Sequence, residues 1–217
     1  AYLRVWPDWS LETLTGHCSG LDTILAEWIE IDPGSQTATW LSEAGSDAAL
    51  QDLKRASPTL GLELVALLPL PPAEPGDASV LDSPASRARI VSALSSKIGT
   101  GVYAGLCLYP RQAGPEHLPG LRALLREMTA ALPSGVRSCL VTDAEGALWR
   151  DGRLVQAVDS VVLRAFREPR SDTRPGPLAP QAWFETLLED AAAATGPEKL
   201  RVALGSFAVM WSGSAAE

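Results

Sequence analysis

The sequence is short of the residues on which most enzyme chemistry depends. It has two histidines, three cysteines, and only three lysines against fifteen arginines. His17 and His117 are too few and too isolated to build a Ser-His-Asp or Cys-His arrangement. His17 ends a helical pattern, where a cation is favoured, and His117 falls in the first turn of another, where it is expected to face solvent. Cys18, Cys107 and Cys139 form an odd set without paired spacing, which gives no disulfide framework and no zinc site. Cys107 and Cys139 sit inside apolar runs and read as small buried hydrophobes. No metal and no cofactor are expected.

Other absences narrow the classes further. No Lys/Arg cluster exists, and the formal net charge is −8. Nucleic acid and anionic membrane surfaces are therefore poor partners. No apolar run reaches membrane-spanning length. No GxGxxG or P-loop follows any strand-like run, which argues against a nucleotide-binding fold. There is no internal repeat, no low-complexity tract and no signal-peptide pattern; the chain opens almost directly on a strand-like segment, as a piece of a longer protein would.

What is present is a strict alternation of strand-like and helix-like runs. The strand candidates are 2–6, 23–31, 62–68, 102–108, 136–142, 160–166 and 199–207. Several are near-continuous apolar runs, as parallel strands covered on both faces must be. Between them lie amphipathic helices. Over 115–132 the apolar positions Leu118, Leu121, Leu124, Leu125, Met128 and Leu132 form one face. Over 180–194 the corresponding face carries Trp183, Phe184, Leu187, Leu188 and Ala191. A helix over 84–98 begins at Ser83-Pro84, an N-cap followed by proline at the first helical position. Seven strands in βα order demand a parallel sheet with right-handed crossovers. An open doubly wound sheet and a (β/α)8 barrel both satisfy that order. Seven strands are one short of a closed barrel, so the eighth is expected to be absent, incomplete or supplied by a longer chain. The proline-rich stretches 70–84 and 167–180 are expected to form stiffened loops on the rim where such sheets place their sites.

The segment GPLAPQAWFETLLEDAAAATGPEKLRVALGSFAVMW (176–211) carries a more specific signal. With LDTILAEWIEID (21–32) and LPGLRALLREMTAALPSG (118–135), in that relative order, it resembles the chitinase-like domains of glycoside hydrolase family 18. The nearest likeness is to the kind fused to polysaccharide deacetylase and glycosyltransferase modules in bacterial envelope proteins. The resemblance covers essentially the whole chain, 1–217, as one domain. It implies a (β/α)8 TIM-type barrel, a carbohydrate substrate class, a place among the domains of a larger protein, and an extracytoplasmic location in the periplasm or cell envelope, tethered through other parts of that protein.

The same resemblance makes one departure conspicuous. The family's fourth strand ends in D-x-x-D-x-D-x-E, whose Glu donates the proton and whose last Asp orients the substrate's N-acetyl group. Laid on this sequence, the ladder falls at Ala104, Cys107, Tyr109 and Arg111. Arginine stays protonated at any working pH and cannot act as a general acid. The family's M-x-Y-D on the sixth strand reads Arg164-Ala165-Phe166-Arg167 here. The resemblance therefore implies a retained scaffold without this hydrolysis: a degenerate module that binds glycan or positions neighbouring domains.

Strand alternation places Cys107, Tyr109 and Arg111 on one face, and Arg164 with Phe166 on another. In a barrel, Arg111 and Arg164 would approach the same mouth. Such arginines either grip an anionic group on a glycan or are neutralised by a carboxylate, for which Glu27, Glu30, Asp143 and Glu168 are the candidates. The seven tryptophans divide similarly. Trp6 and Trp211 end strands at the ligand face, and with Asp8, Tyr109, Arg111, Arg164, Phe166 and Arg167 they make up the candidate glycan contacts. Trp28, Trp40, Trp149 and Trp183 are expected in the core or against helices. A hydrolase using displaced acids would have to draw on Asp8, Asp143, Glu145 and Glu168. A spacer domain without ligand is the third class.

Overall fold

The computed structural model describes residues 2–4, 20–41, 55, 58–70, 79–98, 102–167 and 176–205. Among the described residues, eight strands form one sheet: β1 Tyr2–Arg4, β2 Thr23–Asp32, β3 Thr37–Trp40, β4 Gly61–Pro69, β5 Gly105–Arg111, β6 Arg137–Asp143, β7 Ser160–Arg164 and β8 Leu200–Ala203. The order is β1-β2-β4-β5-β6-β7-β8, all parallel, with β3 antiparallel on β2. Among the described residues no ladder joins β8 to β1. The architecture is a seven-stranded parallel βα wall, an incomplete (β/α)8 barrel; the alternation of runs requires the parallel order, and the family resemblance implies the barrel.

Each inner strand sends alternate side chains to two cores. Outward residues such as Leu64, Ala66, Leu106, Leu108, Leu140 and Leu163 join the larger core beneath the helices. Inward residues, Leu25, Val65, Leu67, Tyr109, Val141 and Val162 among them, fill the lumen. This two-sided burial is why β4 is largely apolar, as is the middle of β7 from Val161 to Leu163.

The helices lie where the periodicity puts them. α1, Pro84–Ile98, buries Ile90, Leu94 and Ile98. The Ser83 hydroxyl accepts from the Ser86 N–H at 3.4 Å, satisfying one of the first-turn donors. α2, Leu118–Ala131, buries Leu121, Leu124, Leu125 and Met128. Each such side chain contributes about 1.5–3 kcal/mol relative to exposure. α3, Gly152–Gln156, is capped by Asp151, whose carboxylate accepts from the Arg153 and Leu154 N–H groups. α4, Gln181–Thr195, ends at Gly196, where φ is 81° and a Cβ would be strained.

Three expectations are corrected. His117 does not face solvent. It is 3% exposed in the 3₁₀ turn Pro115–His117 before α2, and its Nδ1 accepts from the Gly114 N–H at 3.1 Å. Cys107 and Cys139 are buried, as expected of small hydrophobes, but they form a disulfide. They are partners in the β5–β6 ladder, a proximity that depends on strand register and not on spacing. The hairpin strand β3 is additional to the seven strand candidates.

β2 contains a register shift between Glu27 and Ile29. Trp28 and Ile29 both pack in the outer core. The inward row consequently runs Leu25, Glu27 and then Glu30, whose ladder partners on β4 are Glu63, Val65 and Leu67.

Candidate functional site

In βα barrels the loops and side chains at the C-terminal ends of the strands form the functional face. Here three neighbouring strands each deliver one polar side chain to that end. Tyr109 is two residues from the end of β5, and Asp143 and Arg164 close β6 and β7. Asp143 and Arg164 are direct ladder partners, and Tyr109 pairs with Leu67 of β4.

The three side chains form one hydrogen-bonded unit. The Tyr109 hydroxyl lies 2.9 Å from Oδ1 and 3.0 Å from Oδ2 of Asp143. Arg164 Nη1 donates to Asp143 Oδ1 at 2.6 Å and also to the Tyr109 oxygen. The Arg164 guanidinium packs between rings, 5.1 Å from the Tyr109 centroid and 4.9 Å from that of Phe166. Its side chain is 7% exposed, against 35% for Asp143. A buried guanidinium is tolerable only with such a carboxylate. Among the described residues, Asp143 is the one of the four candidate partners that is seen to pair with Arg164.

Arg111 is the last residue of β5 and lies half-buried, four residues beyond Cys107 in the same inward row. Its carbonyl accepts from the Leu70 N–H at 2.9 Å, which anchors the start of the following loop. The next residue, Gln112, has φ of 62°, so the chain turns sharply as it leaves the strand. Ala104 precedes β5 at the opposite end of the barrel, its N–H bound to the Leu62 carbonyl at 2.7 Å. Phe166 is half-buried just past β7. Arg167 turns outward: its guanidinium stacks 4.9 Å over Trp183 of α4, and its N–H binds the Leu178 carbonyl at 2.9 Å. Tyr109, Arg164, Phe166 and Asp143 are thus brought together, while Ala104 and Arg167 are not part of that cluster. Glu27 is buried on the inward row of β2, Glu30 half-buried above it, and Glu145 exposed in the turn after β6. Trp6, Asp8, Glu168 and Trp211 lie outside the described residues. Trp28 and Trp149 are buried in the outer core, with Trp40 and Trp183 packed against it.

A second polar cluster lies at the floor, and no sequence signal marked it. Glu63 of β4, 1% exposed, accepts from Arg137 of β6 at 3.0 Å and from Arg201 of β8 at 2.5 and 3.1 Å. Gly105 is required beside it, because a Cβ there would meet Glu63 Cγ at 2.9 Å and the Arg137 carbonyl at 3.0 Å. Glu63, Cys107 and Cys139 place donor atoms within 4.8 Å of one another. With the two sulfurs bonded together and two guanidiniums on the carboxylate, this trio has no free ligand set for a cation.

The arrangement defines a class first: a (β/α)8-type barrel with a polar unit at its C-terminal mouth. The solved structures it is similar to include chitinases and a spore cortex-lytic enzyme. The crystal structure of Bacillus cereus spore cortex-lytic enzyme SleL matches with a TM-score of 0.74 at 17% identity, over 93% of this chain and 48% of that one. A chitinase from Chromobacterium violaceum matches at 0.72 and 13% identity, over 93% of this chain and 66% of that one. A plant class V chitinase mutant from Cycas revoluta, in complex with (GlcNAc)3, matches at 0.72 and 14% identity over the same shares, 93% and 66%. The chain therefore spans about half the length of SleL and about two thirds of the chitinases. At these identities the likeness establishes the fold. No family model matches the chain, and no curated protein matches its sequence.

Proposed function

We propose that this chain is a non-catalytic, chitinase-like module that associates with carbohydrate inside a larger bacterial envelope polysaccharide-processing protein, outside the cytoplasm. The observation that carries this reading is the end of β5, where Arg111 closes the inward row that also holds Cys107 and Tyr109. On the family pattern these positions would supply the proton donor and the residues that orient the substrate. A guanidinium, a disulfide sulfur and a phenol committed to Asp143 supply neither. Among the described residues, Asp143 is the displaced acid that belongs to this unit, and its oxygens already accept from Tyr109 and Arg164. The ligand surface would be Tyr109, Arg111, Arg164 and Phe166 at the mouth together with Trp6, Asp8 and Trp211, with Arg167 set apart against Trp183.

The proposed location draws on two observations. A buried disulfide persists in oxidising compartments and is rare in the cytosol. The similar structures include a spore cortex-lytic enzyme and the chitinase domain of a spore coat protein. Among the described residues no helix is long and apolar enough to cross a membrane.

The test is a glycan array read alongside turnover of chito-oligosaccharides. Binding without turnover is the expected result. Turnover that survives substitution of Asp143 and Glu145 but is lost in Arg111→Ala would overturn the mechanism. One observation favours a second reading, a spacer domain without ligand: the Arg164 side chain is packed between two rings and bonded to Asp143, so part of the mouth is filled from within. That reading predicts no binding anywhere on the array.

A further inference from the structure

The wall of the barrel is divided between β5 and β6. Their ladder runs from Gly105–Arg137 to Leu108–Leu140 and stops, although β5 continues to Arg111 and β6 to Asp143. On either side the neighbouring ladders persist to the top: β4–β5 to Pro69–Arg111, and β6–β7 to Asp143–Arg164. The upper wall is thus two leaves, one ending in β5 and one beginning with β6. Above the last ladder pair, the hydrogen bonds from Tyr109 to Asp143 and from Arg164 to Tyr109 span the gap. Cys107 and Cys139 are the pair one step below the point where the strands part.

We propose that the Cys107–Cys139 bond is a redox-sensitive clasp on this split, holding the two leaves at the spacing that lets Tyr109 reach Asp143. The reduced state has its own partner in place. Cys107 Sγ lies 3.7 Å from Glu63 Oε2. A disulfide sulfur carries no proton, so in the oxidised protein this is a contact only; a Cys107 thiol would donate to that buried carboxylate. Cys107 is therefore accommodated in either redox state, as a two-state element requires.

The reaction is ordinary exchange. A dithiol delivers two electrons and two protons, the S–S bond becomes two thiols, and the dithiol leaves as its own disulfide. Cys107 and Cys139 are 0% and 1% exposed, so attack waits on the leaves parting. A metal does not take the place of the bond on reduction, because a cation there would sit against Arg137 and Arg201 on the shared carboxylate.

The test uses the intact chain and no glycan, so its failure is separable from that of the proposed function. Alkylation in denaturant without reductant should label one cysteine, Cys18, and three after dithiothreitol. Hydrogen exchange followed by mass spectrometry should then show the amides of Tyr109, Arg111 and 141–143 exchanging at least tenfold faster in the reduced protein. Those of 90–98 and 187–195 should be unchanged, and reoxidation should restore protection. Three labelled cysteines before reduction overturn the proposal. So does equal exchange in the two states, or a uniform loss of protection that includes the helices. Cys107→Val/Cys139→Val provides a second route if it folds: it should exchange like the reduced protein and ignore dithiothreitol.

Discussion

Arg201 on β8 reaches Glu63 on β4, with Nη1 2.5 Å from Oε2 and Nη2 3.1 Å from Oε1. Three strands separate β4 from β8 in the sheet. A bond between them is possible only if the wall curves, so this ion pair ties the two sides of an open sheet from within. Arg137 on β6 adds a third point to the same carboxylate.

Removing the carboxylate should therefore cost more than a surface ion pair does. Glu63→Gln leaves two guanidiniums facing a neutral amide at a position 1% exposed. The expected loss is about 3 kcal/mol, measured by urea denaturation. Arg137→Ala, whose side chain is 54% exposed, should lose less than about 1 kcal/mol. Equal effects would show that Glu63 does not tie the wall.

At the mouth the order of effects is set by burial. Asp143→Ala removes the carboxylate that faces a guanidinium 7% exposed. We expect a loss of about 2–3 kcal/mol, below the 3–5 of fully buried pairs because Asp143 itself remains partly in water. Tyr109→Phe removes one hydroxyl from the unit and should cost about 1 kcal/mol. Thermal melts of the two variants check the ranking.

Asp151 makes acid stability testable. The hydrogen bond from Arg122, more than the Leu154 and Arg153 amides, holds its carboxyl below the ordinary aspartate value of 3.8, against a smaller opposing push from burial. A lowered folded value means that this stabilisation is complete above the unfolded pKa and fades as pH falls through the folded one. Asp151→Asn should thus cost stability at pH 7, and progressively less as the pH falls below the unfolded aspartate value of about 3.9. Urea midpoints across pH 2–7 should converge at the acid end; parallel curves would refute the linkage.

Gly120 marks a close approach. A Cβ there would collide with Leu81 Cβ and lie 2.9 Å from the Leu81 carbonyl oxygen. Gly120→Ala should destabilise the protein by about 1–3 kcal/mol, despite the higher helix propensity of alanine. A gain in melting temperature would mean that the loop before α1 yields freely.

Arg111→Glu alone should not yield measurable turnover of chito-oligosaccharides, followed by product chromatography. It restores a carboxyl at one position, while Cys107 stays in a disulfide and Tyr109 stays bound to Asp143. Turnover in that single variant would refute the proposed loss of function.

The strands were legible because two-sided burial writes continuous apolar runs, and α2 because its buried residues recur at helical spacing. The disulfide was not, since 32 residues separate its ends and only the β5–β6 register makes them neighbours. The same holds for Glu63, Arg137 and Arg201, which sequence alternation cannot bring across a lumen. His117 was misplaced because a helix-start position says nothing of the 3₁₀ turn that buries it. The β3 hairpin did leave a trace, Asp32-Pro33-Gly34, a turn signal followed by short alternation. Arg164 with Asp143 was anticipated as one of four pairings, because burial of a charge demands a partner but not which one.

That hairpin has a consequence for how the rim can change. β1 pairs with β2 from Leu25 to Glu27, and β3 takes over from Ile29 to Asp32. The turn is held by its own bonds: the Gln36 N–H meets the Asp32 carbonyl at 2.8 Å, and the Gly34 N–H meets Asp32 Oδ1 at 2.7 Å. Lengthening or replacing the tip would leave every parallel ladder below it untouched. The molecule thus carries, at its upper border, a hairpin anchored by Trp40 against the outer core, whose tip alone can drift or be engineered without renegotiating the barrel beneath.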